Sequence, residues 1–222
     1  MSLLLVRKTY WNIPCTQRTL AAGIKHLQKA LNAHGRGTPT AAGPYFSLSN
    51  WHEYKVATYR GRQVLLVVEI AKRKTDFAAP LPPAISKLML HQSHCSFRPD
   101  NGLKTHSYLL FGYTPFRSQA YNTYQQTRSL AEKNELLAKH LADHLQTLAV
   151  RLAFPRKCVL QLNSLRIRKE KRVRIGGILQ LSFDLEFTTN LFIPEYLGLG
   201  RGAAQGLGVI RLARTRRLGG TA

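Results

Sequence analysis

A strand followed by an amphipathic helix occurs twice in this 222-residue chain, and this repetition constrains the fold more than any other feature. Residues 2–12 have the composition of a strand, and Thr16 then caps a helix whose apolar side chains recur at helical spacing until Gly35. The second occurrence is a predicted strand at 107–116 followed by a helical segment at 120–152. The chain therefore begins the same supersecondary unit twice.

Further predicted elements complete each half. In the first half they are strands at 45–49 and 63–72 and a short helix at 84–91. In the second half they are strands at 159–167, 178–187 and 208–213, with only a short turn at 192–196 in place of a second helix. The order is that of the ferredoxin-like unit. We expect an α+β fold with two tandem ferredoxin-like (RRM-like) domains, residues 1–100 and 105–222, the second with a long helix and a C-terminal glycine-rich loop.

The charge of the chain points to a polyanionic partner. Lys and Arg number 33 against 11 Asp and Glu, a formal charge of +22. A surface of this kind attracts nucleic acid over about one Debye length, roughly 8–10 Å at physiological salt. A membrane surface and a merely solvated basic surface are the alternatives. We expect a nucleic acid as the partner.

Cysteine content and apolar runs indicate the compartment. Cys15, Cys95 and Cys158 are widely spaced and odd in number, which is typical of a reducing environment. The longest apolar run, residues 64–68, is far shorter than the roughly 20 residues of a membrane span. We therefore expect a cytoplasmic protein without a membrane partner.

Residues 198–208 read GLGRGAAQGLG and are the clearest motif. They do not form a dinucleotide-binding motif, because a strand-like segment follows them where that motif requires a helix. They are not a P-loop, since no Lys followed by Ser or Thr closes the run. Glycines permit positive φ and let backbone N–H groups approach a phosphate closely, although a flexible turn has the same composition.

This loop resembles a known family feature. Two GLG triplets separated by five residues resemble the GhGxxxxxGhG loop (h, hydrophobic) of the repeat-associated RNA-binding (RAMP) superfamily of CRISPR systems. Within it, the chain resembles the endoribonucleases that process precursor CRISPR RNA, whose loop also precedes the final strand. The long helix with its Lys, Arg and Gln residues further resembles type IV members.

The resemblance implies a partner, a reaction and a place in a complex. The partner is a CRISPR repeat stem-loop, cut on the 3′ side of the stem, and the protein stays on the crRNA beside other effector-complex subunits. The reaction needs neither a metal nor a small-molecule cofactor. A base takes the proton of a ribose 2′-OH, which attacks the adjacent phosphate and leaves a 2′,3′-cyclic phosphate; histidine suits this role because its ordinary pKa is about 6.5.

The resemblance also directs attention to the first helix, where family members often carry a histidine. His26 and His34 lie there, and His26 is preferred because it flanks the apolar stripe beside Lys25. Tyr10 and Lys25 are candidates for orientation and for phosphate charge. Some relatives rely on Arg or Lys instead of histidine, which makes Arg36 an alternative, and His26 as a solvated residue without a role is another.

Candidate RNA-binding residues fall into three groups. The segment RIRKEKRVR is predicted to form a hairpin whose tip meets phosphates. The basic candidates on this hairpin and on the long helix are Arg166, Arg168, Lys169, Lys171, Arg172, Arg174 and Arg128. The loop contributes Gly198, Gly200, Arg201, Gly206 and Gly208. The aromatic residues Tyr113, Phe116, Tyr121 and Tyr124 either stack on unpaired bases or belong to the core.

Two histidine clusters have spacings that a metal ion could use. His91, His94 and Cys95 form an HxxHC sequence, and His140 and His144 lie one helical turn apart. Neither has an evident third or fourth ligand, so no metal site is predicted. Two other functions remain open: a catalytically silent crRNA-capping subunit of the same superfamily, and an unrelated basic RNA-binding protein such as a ribosomal component.

Overall fold

The computed structural model describes residues 4–34, 51–71, 86–97, 103–152, 154–155, 158–175, 177–203 and 206–213. The chain divides into two compact units. The N-terminal unit contains Met1–Pro99 with Tyr196–Gly198 and Gly202–Leu207, and the C-terminal unit contains Asp100–Glu195 with Leu199–Arg201 and Gly208–Ala222. Each unit has its own four-stranded antiparallel sheet.

The sheet of the N-terminal unit carries one described helix. Its elements are β1 (Leu4–Pro14), α1 (Leu20–His34), β2 (Trp51–Tyr59), β3 (Arg62–Ala71) and β4 (Met89–Phe97), in the sheet order β2-β3-β1-β4. Trp11 and Ile13 of β1 are buried in one core cluster with Leu20, Leu27 and Leu31 of α1. Because successive side chains of a strand alternate between faces, Tyr10 lies on the opposite face of the sheet.

Two predictions for this unit need correction or lie outside the described residues. The predicted helix at 84–91 is wrong for its last residues, because Met89–Phe97 is a strand that pairs with β1 from Trp11↔Met89 to Leu4↔Phe97. Pairing with β1 satisfies its backbone, so the tertiary partner overrides the local sequence preference. The predicted strand at 45–49 and Arg36, the alternative catalytic residue, lie outside the described residues. Strand β2 was not predicted.

The C-terminal unit repeats the same strand order. Its elements are β5 (His106–Tyr113), α2 (Ser118–Gln126), α3 (Leu130–Arg151), β6 (Leu162–Ile175), β7 (Ile178–Thr189) and β8 (Val209–Leu212). The order β6-β7-β5-β8 matches that of the first sheet, with the first and third strands in the centre. The predicted α+β class with two ferredoxin-like domains is confirmed.

The predicted long helix is two helices. Thr127 ends α2 in an extended conformation, and Ser129 begins α3 by accepting a hydrogen bond from the Glu132 N–H at 3.4 Å. Ser129 is therefore the N-cap of a second helix and lies at a break inside the predicted segment. Arg128 is exposed in this break. None of the described helices combines the length and the apolar character that crossing a membrane requires.

The predicted basic hairpin tip is also corrected. Strand β6 extends to Ile175, which pairs with Ile178 of β7. The basic segment 166–174 therefore lies along the strand instead of at its turn. Its side chains are consequently divided between two faces of the sheet.

Candidate functional site

A buried ion pair on β2 holds the part of the glycine-rich loop that belongs to the N-terminal unit. Lys55 Nζ lies 2.9 Å from Glu53 Oε2, and both residues are buried. The Gly198 N–H donates to Glu53 Oε2 at 2.6 Å, and Lys55 Nζ donates to the Ala203 carbonyl oxygen. Burial lowers the pKa of Lys55, and Glu53 opposes this effect. The loop is thus fixed at two points.

Sequence reasoning missed this pair. In the sequence, Glu53 and Lys55 read as ordinary charged residues of a surface segment. Their i, i+2 spacing was the available signal, because it places two side chains on the same face of a strand. Only the folded structure shows that the face of β2 that carries these two side chains is buried.

The four motif glycines lie where a side chain has no room. A Cβ on Gly198 meets Lys55 Nζ at 2.5 Å and Glu53 Oε2 at 2.7 Å, and one on Gly200 meets the Tyr113 ring at 2.7 Å. For Gly206 and Gly208 the nearest atoms, of Leu20 and of the Leu199 backbone, are also closer than 3.0 Å. The spacing of the motif is therefore explained by packing.

Replacing Gly208 by alanine is expected to lower the free energy of unfolding by about 2–5 kcal/mol. At φ +64° the new Cβ requires a left-handed conformation, and it also overlaps the Leu199 carbonyl oxygen, which is backbone and cannot move aside. Gly177→Ala is the matched control, because Gly177 has φ +85° with nothing near its Cβ and pays only the conformational cost of about 1–2 kcal/mol. Equal denaturant midpoints for the two variants would contradict the packing argument.

Many loop amides are already engaged within the protein. The Gly206 N–H donates to the Ala203 carbonyl, and the Gly208 N–H donates to the Gly112 carbonyl. Internal hydrogen bonds also engage the N–H groups of Gly198, Leu199, Arg201 and Leu207. These amides are not available to a phosphate while the loop keeps this conformation.

Arg201 differs from its glycine neighbours, because its side chain is exposed while its backbone is fixed. Its N–H donates to the Thr114 carbonyl at 2.9 Å, and its own carbonyl accepts from the Thr114 hydroxyl. One guanidinium nitrogen donates to the Phe116 carbonyl at 3.2 Å. The guanidinium is therefore positioned before any ligand binds.

The basic side chains of β6 divide between the two faces of the second sheet. Phe183 of β7 packs against Tyr124 of α2, so odd-numbered β7 residues face this helix. Side chains opposite each other in paired strands share a face. Arg166 and Lys169 pair with Glu186 and Asp184 and share the face away from α2. On the helix face, the paired residues are Arg172↔Leu181 and Arg174↔Leu179.

Carboxylates neutralise part of this basic strand. Lys171 Nζ lies 2.9 Å from Asp184 Oδ1, and Arg168 lies 3.6 Å from Glu186. Among the described residues of β6, four cations are exposed and have no carboxylate partner: Arg166, Lys169, Arg172 and Arg174. These four cations therefore supply the uncompensated charge of β6.

The catalytic candidates do not all come together. Lys25 and His26 are exposed on α1, and within the described part of the chain the His26 imidazole makes no hydrogen bond. His34 is the last residue of α1. Tyr10 lies on the opposite face of the sheet from α1, so it does not contact the His26 imidazole.

Tyr10 has other partners, which sequence reasoning did not connect to it. Its ring centroid lies 5.2 Å from that of Tyr59 and 5.9 Å from that of His91. Tyr59 and His91 stack at 5.8 Å with their planes 16° apart. The Arg60 guanidinium lies over the Tyr59 ring at 5.5 Å. Strands β1, β2 and β4 thus assemble an aromatic cluster with one imidazole.

The two histidine clusters are not arranged as metal sites. His91 and Cys95 pair with Tyr10 and Val6, whereas His94 pairs with Arg7 and lies on the other face of β4. No group of three His, Cys, Asp or Glu residues in the described ranges is placed to hold a metal ion.

On α3, His144 is a structural partner of the core. Its Nδ1 is hydrogen-bonded to the Tyr113 hydroxyl at 2.7 Å. Burial lowers the pKa of His144, and the nearby His140 lowers it further. Burial also raises the pKa of Tyr113. The pair is therefore a neutral hydrogen bond at the edge of the core.

Comparisons with known proteins agree with this architecture. A search of curated proteins finds no match. Among solved structures, a crystal structure of Cas6b matches with a TM-score of 0.67 and 18% identity, covering 96% of this chain and 100% of that chain. A crystal structure of the CRISPR RNA processing endoribonuclease Cas6b matches with a TM-score of 0.64 and 16% identity over the same shares of the two chains. At these identities the likeness shows a shared fold.

The sequence itself matches a family model. The model of the Cas6b C-terminal domain matches residues 102–213, a range that includes α2, α3, the basic strand β6 and the glycine-rich loop. The superfamily resemblance of the loop is thereby confirmed, while the likeness to type IV members stays a prediction. Because the family match spans half of the sequence, the chain belongs to the Cas6b family.

Proposed function

We propose that this protein is a metal-independent endoribonuclease that binds CRISPR repeat hairpins and cleaves precursor crRNA. The observation that carries the proposal is the family match over residues 102–213. A solved relative of the same fold is a CRISPR RNA processing endoribonuclease. The charge of +22 supports an RNA substrate.

RNA binding is assigned mainly to the C-terminal unit. The phosphate contacts come from the uncompensated cations of β6, Arg166, Lys169, Arg172 and Arg174, together with Arg128 between the helices. The major groove of an A-form stem is deep and narrow, so a stem is held through its shape and its phosphates. The glycine-rich loop adds the fixed guanidinium of Arg201.

Catalysis is assigned to the N-terminal unit. The exposed His26 imidazole takes the proton of the ribose 2′-OH, and the 2′ oxygen then attacks the adjacent phosphorus. The bond to the 5′ oxygen breaks, that oxygen receives a proton, and a 2′,3′-cyclic phosphate remains. The exposed Lys25 ammonium stabilises the charge that develops on the phosphate. No metal is required, because the nucleophile is part of the substrate.

The product is proposed to stay bound. Phosphate contacts to the stem are made equally before and after cleavage, so cutting at the base of the stem does not remove them. The protein then remains on the 3′ hairpin of the crRNA beside other subunits of the effector complex. Single-turnover kinetics is the expected consequence.

Cleavage of a repeat hairpin in EDTA tests the proposal. The expected result is a product with a 2′,3′-cyclic phosphate, together with tighter binding of the repeat hairpin than of another hairpin of equal length. Tight, selective binding without cleavage indicates a crRNA-capping subunit instead. Binding without preference for the repeat contradicts the proposed substrate.

A further inference from the structure

A pocket of about 220 Å³ lies within the C-terminal unit, between the start of α2 and the start of β7. It is smaller than the roughly 300–1,000 Å³ of pockets that hold drug-sized ligands, so it suits one small planar group. The residues that the argument uses are Arg117, Tyr121, Leu179 and Arg201.

The pocket is positively charged. Arg117 and Arg201 line it, both are exposed, and none of the described residues that line it is acidic. The Arg201 guanidinium is already positioned by its bond to the Phe116 carbonyl. Arginine side chains bind phosphate oxygens with two parallel N–H donors, so this rim suits a phosphate.

Most of the other residues that line the pocket are apolar or aromatic. Three of the four aromatic stacking candidates, Tyr113, Phe116 and Tyr124, are buried in the core, whereas Tyr121 is only half-buried and lines the pocket. Leu179 is 49% exposed beside it. A flat base can pack against this surface without losing a protein contact.

We propose that this pocket binds one unpaired nucleotide of the RNA, with its phosphate on Arg117 and Arg201 and its base against Tyr121 and Leu179. The inference rests on the proposed RNA substrate, but it adds a readout of one unpaired position that the contacts to a paired stem do not supply.

An abasic scan tests the pocket. The full-length protein is titrated with a repeat hairpin carrying single-stranded flanks, in which each unpaired base is removed in turn. For the unaltered protein, one position is expected to weaken binding by about 5- to 100-fold when its base is lost. In Leu179→Ala and in Tyr121→Ala the same removal is expected to weaken binding much less, because part of the contact with the base is already absent.

Gln146→Leu, an exposed change on α3, is the control and keeps the full abasic penalty. Circular dichroism checks that each variant is folded, and the two pocket variants probe it independently. The proposal is overturned if no unpaired position shows a penalty, or if the penalty persists in both variants. The same scan on an unrelated flanked hairpin keeps the two hypotheses apart: equal affinity for both hairpins counts against the proposed function, while the abasic result still decides the pocket.

Discussion

His26→Ala is expected to slow cleavage of repeat RNA by about 10²- to 10⁴-fold while leaving the affinity for uncleaved RNA unchanged. The imidazole is exposed on α1, and His26 is not part of the core cluster that the described residues form, so its removal should not alter the fold. Losing a general base raises the barrier of the chemical step alone. Single-turnover rates at saturating protein measure this step directly.

Three comparison variants make the result specific. Lys29→Ala removes an exposed cation from the same helix and is expected to keep the wild-type rate. His34→Ala tests the second histidine of α1. His91→Ala tests the imidazole of the Tyr10 cluster on the opposite face. Wild-type cleavage by His26→Ala, together with a loss in His91→Ala, would move the catalytic centre from α1 to the aromatic cluster.

The contrast between His26 and Tyr10 shows how far sequence reasoning reaches within the site. Tyr10 and His26 were candidates for the same catalytic site, and the strand and the helix that carry them follow one another in the chain. Helix α1 covers the face of the sheet that carries Trp11, and the alternation of β1 turns Tyr10 to the other face. Consecutive elements such as β1 and α1 place their residues in the same region of the fold. The alternation of side chains along β1 then determines which of its residues face the helix.

The fold was predictable where periodicity is strong. The alternation in 178–187 and the glycine spacing at 198–208 lie in β7 and in the loop, as expected. Part of strand β4 was predicted as a helix. It lies at the edge of the sheet, and its extended conformation comes from pairing with β1 and not from its local sequence. The break at Thr127–Ser129 was missed because a cap residue inside a long polar helix is a weak signal.

The least predictable feature is the anchoring of the loop by β2. Glu53 and Lys55 satisfy each other and two backbone groups of the loop, and no local pattern identifies a segment 145 residues away as their partner. Charged residues are almost never fully buried unless they are paired. The glycine motif is therefore visible in the sequence, while its partner becomes visible only in the fold.

Lys55→Met is expected to lower the free energy of unfolding of the N-terminal unit by about 3–5 kcal/mol. Methionine fills a similar volume, so the loss comes from leaving the Glu53 carboxylate buried without its cation and the Ala203 carbonyl without its donor. The protein's two tryptophans, Trp11 and Trp51, both belong to this unit. Their fluorescence during urea titration therefore reports its unfolding.

A double-mutant cycle with Glu53→Gln separates the ion pair from simple packing. Glutamine keeps an oxygen that accepts from the Gly198 N–H, and it carries no charge. The double variant is therefore expected to be more stable than Lys55→Met alone, because no uncompensated charge remains buried. If the two changes are additive, the pair does not act as a unit. If Lys55→Met unfolds at the wild-type urea concentration, the loop is not anchored by this lysine, and the packing of its glycines alone must hold it.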